Sequence, residues 1–374
     1  MTSRPSLRAP RLRSLWLRVH RWVALSVGWV LALVGLAGAV LVAVQPLDRW
    51  AHPELFNVAA TPPSPEPQGV SLEALRQRLT TELGTETSLT FRPPREPDET
   101  LWVLTRGAWS GTVYLDPITG REQGRRGDDE GFVNVLFKLH SSLLLQDTGK
   151  AILACIALSY LALLLTGLVL WWPRRWPPSW RIEWRNGLTR GLFDLHRAGG
   201  AVMGLLITVS VASGAYMAWR PLGEFVTFLG GGTSLKPPAL PKASATPGPA
   251  LPLDALVALA QAQFPNAPVG YVQVPGQANR AVRVRMRLED DPHPNGLTSV
   301  WLHPGTGAVL RVDRWNQLDP GARAVAFVYP LHTGVLGGAA LESVIFVNGL
   351  VLGSLGFTGI WLWWRRRRAV VRRD

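Results

Sequence analysis

Four of the seven histidines stand where an apolar stretch meets its flank: His20, His140, His196 and His332. Ionisable side chains are uncommon in or against a bilayer, and one found there is a functional candidate. Burying an imidazole costs free energy unless it is paired or coordinated. Neutral imidazole ligates haem iron, and a helix bundle is a usual place for such a site. The chemistry open to these residues is therefore metal ligation and electron transfer, with His20, His140, His196 and His332 as ligands to haem iron.

The surrounding residues repeat. Val19-His20-Arg21-Trp22 is echoed 176 residues later by Asp194-Leu195-His196-Arg197-Ala198-Gly199-Gly200. At the same offset Gly28 matches Gly204, and Gly38-Ala39 matches Gly214-Ala215. Leu139-His140-Ser141 returns as Leu331-His332-Thr333, 192 residues on. At that second offset Thr166-Gly167 with Trp171-Trp172 matches Thr358-Gly359 with Trp363-Trp364. The chain reads as two copies of one two-helix unit, each bringing two histidines to the membrane.

Bond length decides which histidines share a metal. Imidazole–metal bonds are about 2 Å, so two axial nitrogens on one iron stand about 4 Å apart. His20 and His140, at opposite ends of one repeat, are separated by a hydrocarbon layer of about 30 Å. Partners must then come from different repeats on the same side, His20 with His196 and His140 with His332. A pseudo-two-fold axis along the membrane normal provides that arrangement. Two bis-histidine haem b groups, one near each surface, would form a wire across the bilayer. Arg21 and Arg197 follow their histidines directly and are candidate partners of haem propionates.

Four stretches are long enough to position these residues, about 20 apolar residues being needed to cross a bilayer. They are Trp22–Val44, Ala151–Trp172, Ala198–Trp219 and Val344–Trp364, and none carries Lys, Arg, Asp or Glu in its interior. With no water to satisfy the backbone, such segments are helices. An N-terminal signal peptide is the rival for the first, but its apolar run is about twice the usual h-region of 7–15 residues. The expected organisation is a basic lead-in with span 1 (1–45), an extramembrane domain (46–150), span 2 (151–172), a loop (173–197), span 3 (198–219), a second domain (220–341), and span 4 with a basic tail (342–374).

The net charge of +13 invites a nucleic-acid reading, and its placement argues against one. Residues 1–21, 173–197 and 365–374 hold six arginines each against three acids in all, an excess greater than that of the whole chain. All three fall on one side of a four-span topology, which the positive-inside rule makes cytoplasmic. Both termini are then inside, and residues 46–150 and 220–341 lie outside. Trp176, Trp180 and Trp184 among the loop arginines suit an anchor on anionic lipid.

Outside the membrane a helix-and-strand pattern appears twice. Val70–Leu83, with Ser71 as N-cap, precedes strands at Ser88–Arg92, Thr100–Thr105 and Gly111–Leu115. Leu253–Phe264 precedes strands at Val269–Val274, Ala281–Leu288 and Ser299–His303. Pro46–Gly69 and Gly230–Pro252 read as linkers. His52 and His293 read as solvated loop residues, and His303 as a turn residue in the place of Asp116. The single cysteine, Cys155, falls inside span 2 as a small packing residue; it excludes intrachain disulfides and cysteine-ligated clusters. The chain has no dinucleotide fingerprint and no P-loop.

Taken in order and in duplicate, the His-Arg, Leu-His-Ser, Leu-His-Thr and Thr-Gly…Trp-Trp motifs resemble the PepSY-associated transmembrane family. That resemblance covers nearly the whole chain. It implies two small α+β PepSY-like periplasmic domains on a four-helix membrane part. Relatives include iron-regulated inner-membrane proteins and siderophore reductases, which release iron by reducing the ferric chelate in the periplasm. The expected activity is that of a ferric-chelate (siderophore) reductase, with no catalytic acid or base. Some relatives carry a fused flavin reductase domain; this chain ends at Asp374 without one, so a separate cytoplasmic or membrane electron donor is expected. The partners are then a ferric siderophore, that donor and membrane lipid. The alternatives are a non-redox PepSY-domain protein that binds peptides or regulates, and a transporter subunit for iron–siderophore uptake.

Overall fold

The computed structural model describes residues 9–58, 69–173, 175–232, 236–241 and 251–371. In chain order these form α1 (Ala9–Ala51), α2 (Pro53–Phe56), α3 (Leu72–Leu83), β1 (Ser88–Arg92), β2 (Leu101–Arg106), β3 (Gly111–Leu115) and β4 (Glu122–Gly127). There follow α4 (Phe132–Ser142), α5 (Gln146–Trp171), α6 (Leu188–Ala218), α7 (Arg220–Leu229) and α8 (Leu253–Gln263). The remainder is β5 (Val269–Val274), β6 (Val282–Met286), β7 (Thr298–Leu302), β8 (Val309–Asp313), α9 (Pro320–Thr333) and α10 (Gly338–Val371). Most of both expected linkers lies outside the described residues. The chain divides into a helical unit, residues 1–43, 136–223 and 332–374, and a sheet unit, residues 44–135 and 224–331.

Four helices, α1, α5, α6 and α10, are long and apolar enough to cross a membrane. Their outward faces carry exposed Leu158, Leu165, Leu205 and Phe357, as lipid-facing surfaces do. Inward, Val30, Leu31, Ile156, Tyr160 and Ile207 form a buried apolar layer. α1 and α10 approach through small residues: a Cβ at Gly349 would stand 2.5 Å from the Gly35 carbonyl oxygen, and one at Gly356 2.5 Å from Ala32 Cβ. Lipid offers no hydrophobic gain for helix association, so such close backbone packing supplies the attraction.

Several helix boundaries differ from expectation; α5 begins at Gln146 rather than Ala151, and α10 at Gly338 rather than Val344. α1 continues through Pro46 to Ala51. Its last turn is held in the sheet unit, where Asp48 pairs with Arg126 and Arg49 with Glu99, both at 2.8 Å. α6 begins at Leu188, so the last ten residues of the expected loop, 188–197, are helix. Buried Asp194 accepts from Arg190 one turn earlier at 2.8 Å and from the Glu183 amide at 3.3 Å, fixing that first turn. Cys155 is exposed on α5 instead of packed.

The sheet unit corrects the expectation of two separate sheets. All eight strands form one antiparallel sheet in the order β4-β3-β2-β1-β5-β6-β7-β8, joined by β1 against β5. Each half carries a fourth strand that the sequence reading omitted, β4 and β8. β4 reads Glu-Gln-Gly-Arg-Arg-Gly, which has no apolar alternation to betray it. One sheet face is aliphatic, with Leu89, Phe91, Val103, Val272, Val284 and Leu302 buried against Leu79 and Leu256 of α3 and α8. Burying each such side chain is worth about 1.5–3 kcal/mol.

The two helices cap one another. Ser71 caps α3 as expected. In addition, Asp254 accepts from the Leu72 and Glu73 amides at 2.8 and 3.1 Å, and Glu73 accepts from the Leu253 amide at 3.0 Å. Each helix thus places a carboxylate on the other's orphan N–H groups.

Candidate functional site

His20 and His196 are neighbours in the helical unit, with ring centroids 6.4 Å apart and planes at 88°. His140 and His332 are likewise neighbours, 5.9 Å apart at 41°. Each couple joins one residue from each sequence repeat. Two Fe–N bonds of about 2 Å, plus about 1.1 Å from each nitrogen to its ring centre, call for roughly 6 Å between centroids. Both separations fit a shared iron. Among the described residues no group of three or more His, Cys, Asp or Glu side chains converges, so each site offers two protein ligands.

The ring nitrogens are not equivalent, and their partners fix the tautomer. His20 Nδ1 lies 2.8 Å from Thr166 Oγ1, whose own proton goes to the Ala162 carbonyl at 2.6 Å. His196 Nδ1 lies 2.8 Å from Thr358 Oγ1, which donates to the Ser354 carbonyl at 2.7 Å. His332 Nδ1 lies 3.0 Å from Ser213 Oγ, committed in turn to the Val209 carbonyl at 2.7 Å. His140 Nδ1 lies 2.9 Å from the carbonyl of Val34, which can only accept. Nδ1 is therefore the donor in all four, and Nε2 keeps its lone pair. Metal-bound histidines are held this way, the second nitrogen donating to a fixed oxygen that orients the ring.

The repeated sequence motifs supply these contacts. Thr166 and Thr358 come from the Thr-Gly pairs, and their glycines admit the rings: a Cβ at Gly167 or Gly359 would stand 3.5 Å from Cε1 of His20 or His196. Gly38 and Gly214 are tighter, with a Cβ 2.7 Å from His140 Cε1 and 2.9 Å from His332 Cε1. The repeat is not perfect: the residue matching Ser213 is Ala37, which has no hydroxyl, and His140 turns to the Val34 carbonyl instead. Eighteen residues separate His20 from Gly38 on α1, and His196 from Gly214 on α6. At 1.5 Å per residue the two imidazole layers are about 27 Å apart along the helices.

A cavity of about 810 Å³ opens beside the first couple. His20, His196, Arg21, Arg197, Trp171 and Trp363 are among its lining residues. The volume lies within the range of about 300–1,000 Å³ that holds ligands and cofactors. Arg197 Nη2 donates to the Ser179 carbonyl at 2.8 Å and its Nε is buried with no partner among the described residues, while Asp194 stands 3.8 Å away. Imidazoles, arginines and apolar walls of this kind fit a flat, dianionic tetrapyrrole.

The sequence reading missed Asn348. It is buried in α10, its Nδ2 donates to Ser210 Oγ at 2.8 Å, and its Oδ1 has no partner among the described residues. No repeat partner or local motif marks it. The other histidines lie in the sheet unit. His52 sits exposed beside Glu54, 3.1 Å away. His303 is a buried turn residue, whose Nδ1 accepts from the Gly305 and Thr306 amides as Asp116 Oδ1 accepts from Ile118 and Thr119. His293 is not solvated, as its loop context suggested. It is 9% exposed and stacks on Tyr329 at 5.0 Å.

Four helices long and apolar enough to cross a membrane, with two facing histidine couples among them, define a multi-pass helical membrane protein. Compared with known families, residues 17–366 match the PepSY-associated TM region. The chain belongs to that family. Comparison with curated proteins finds no match.

Proposed function

We propose that this protein is a di-haem electron carrier of the bacterial inner membrane that reduces ferric siderophores in the periplasm. Both termini lie in the cytoplasm, and the sheet unit lies in the periplasm. The observation that carries the reading is the pairing of four imidazoles into two couples, each ring tethered through Nδ1 with Nε2 free. The duplication in the sequence supports it, because each couple takes one residue from each copy.

In this reading His20 and His196 hold the cytoplasmic haem, and His140 and His332 the periplasmic one. Arg21 and Arg197 face the propionates of the first. Bound haem supplies a reversible one-electron couple at each layer. The chain's own residues orient the ligands, exclude water between the layers with Val30, Leu31, Ile156 and Ile207, and hold the sites about 27 Å apart. One electron from a cytoplasmic or membrane donor converts chelated Fe(III) to Fe(II). Hard siderophore oxygens bind ferrous iron more weakly, so the metal is released.

The purified protein should show a Soret band and reducible α-bands equivalent to two haems per chain. Replacing His196 with Ala should remove one haem and leave the other. A colourless protein, or loss of neither haem in that variant, overturns the proposal.

A further inference from the structure

Opposite its aliphatic face, the eight-stranded sheet carries arginine and aromatic side chains. β1 and β5 pair as far as Phe91 with Val272, so Arg92 and Tyr271 are the next residues on the two strands. Tyr271 pairs with Arg285 of β6, and Gln273 with Arg283. Arg92 stacks 4.0 Å over Trp102, Arg285 lies 5.4 Å from Tyr271, and Arg283 lies 4.9 Å over Trp301. Arg92 and Arg285 are buried, Arg287 half-buried and Arg95 exposed. Buried guanidinium groups with an exposed guanidinium at the edge form a positively charged face.

The carboxylates within the face are already committed, while exposed Glu96, Asp98 and Glu289 flank Arg95 and Arg287 in the sequence. Glu99 accepts from Arg49, Arg92 and the Arg95 amide, each at 2.8 Å. Asp313 accepts from Trp301 at 2.7 Å and from Arg311. Asp291 caps the amides of His293, Leu297 and Thr298. Among the described residues, Arg95, Arg283, Arg285 and Arg287 form no ion pair. Arg92 Nη1 is buried with no hydrogen-bond partner there. The mutual repulsion registers on the groups themselves. Burial, then Arg285, pushes Arg283 down to about 9, and burial, then Arg285 and Arg95, pushes His293 down to about 3. Native proteins seldom gather this many arginines without an anion to receive them, since an uncompensated buried charge is costly.

We propose that this arginine–aromatic face, around Arg92, Arg95, Arg285, Arg287 and Tyr271, binds an anionic ligand. Resting on the reductase reading, that ligand is a ferric chelate of net negative charge, of the catecholate or carboxylate class, rather than a neutral hydroxamate complex. Guanidinium forks match carboxylate and catecholate oxygens two at a time, and the stacked rings cover the flat ligand faces. Low-dielectric walls strengthen the field at such a site.

The test uses gallium(III) chelates, which share the charge and shape of the ferric ones and accept no electron, so binding is read apart from reduction. The full chain in lipid nanodiscs is titrated calorimetrically with trianionic gallium tris-catecholate and with a neutral gallium tris-hydroxamate. The anion should bind at least tenfold tighter than the neutral complex. R95Q combined with R287Q, both away from the buried floor, should weaken the anion at least tenfold, and R95K, which keeps the charge without the fork, should bind between the parent and R95Q. Equal binding of the two chelates, no binding of the anion, or an unchanged double variant overturns the inference. A colourless protein that still binds the anion defeats the haem reading and leaves this site standing.

Discussion

Replacing Thr358 with Val removes one hydroxyl while keeping the side chain's shape. Thr358 Oγ1 receives the Nδ1 proton of His196 at 2.8 Å, and the Leu355 carbonyl is a second acceptor beside the same ring. The variant removes the better-placed acceptor and leaves the buried N–H only the Leu355 carbonyl, a loss of up to about 1–3 kcal/mol. It also frees the ring to turn, and loss of such an outer partner typically weakens a metal site about 10–100-fold. Those figures agree, since 1.4 kcal/mol is about tenfold. Stepwise haem titration of the stripped protein, followed at the Soret band, should show one of two sites weakened by that factor. T358S keeps the oxygen and should bind as the parent does. If T358V retains both haems at parental affinity, or if T358S is as weak as T358V, the hydroxyl is not what orients His196.

Further outcomes follow from the same geometry. G38A should disturb the His140–His332 site strongly, because its Cβ would meet His140 Cε1 at 2.7 Å, whereas G167A, at 3.5 Å from His20 Cε1, should be tolerated; low-spin haem signals report the difference. D254A removes the carboxylate that caps α3 from α8, worth about 1–2 kcal/mol, and should speed amide exchange at Leu72 and Glu73 about 5–30-fold. Burial alone would raise the Asp254 carboxyl, but its bonds from Ser71 and the Glu73 and Leu72 amides outweigh it, so its pKa lies below the ordinary 3.8. A depressed carboxyl stabilises the fold fully above that ordinary value and loses its contribution as pH falls through the folded one. Protection of those amides, relative to their intrinsic exchange rate, should therefore hold down to about pH 4 and fall below it, and D254N should lose that acid dependence; a D254N profile identical to the parent's would contradict it.

Much of the helical unit was legible in the sequence because membrane helices are written in local composition. Four long apolar runs, their arginine flanks and the twofold recurrence of the His, Gly and Thr-Gly motifs mark the spans and the candidate ligands. Bond length alone then made His20 with His196, and His140 with His332, the feasible couples. Strands β1, β3 and β5 were legible to the residue for a similar reason, their apolar residues alternating between turn signals. Ser71 announced the start of α3 by its own chemistry.

What the sequence did not contain was any interaction between residues distant in the chain that lacks a local signature. The joining of β1 to β5 turns two expected sheets into one, and strand pairing is decided by backbone groups that every residue shares. β4 lacked alternation because its side chains are polar, buried Arg126 being held by Asp48 rather than by the aliphatic core. The oxygens that fix each imidazole tautomer come from α1, α5, α6 and α10, and only the packing of these helices brings them to the histidines. The arginine face emerged the same way, its members spread over β1, β6 and their loops and brought together only by the sheet. Local physics wrote the helices and nominated the ligands; the long-range contacts alone decided which nitrogen is free and where positive charge collects.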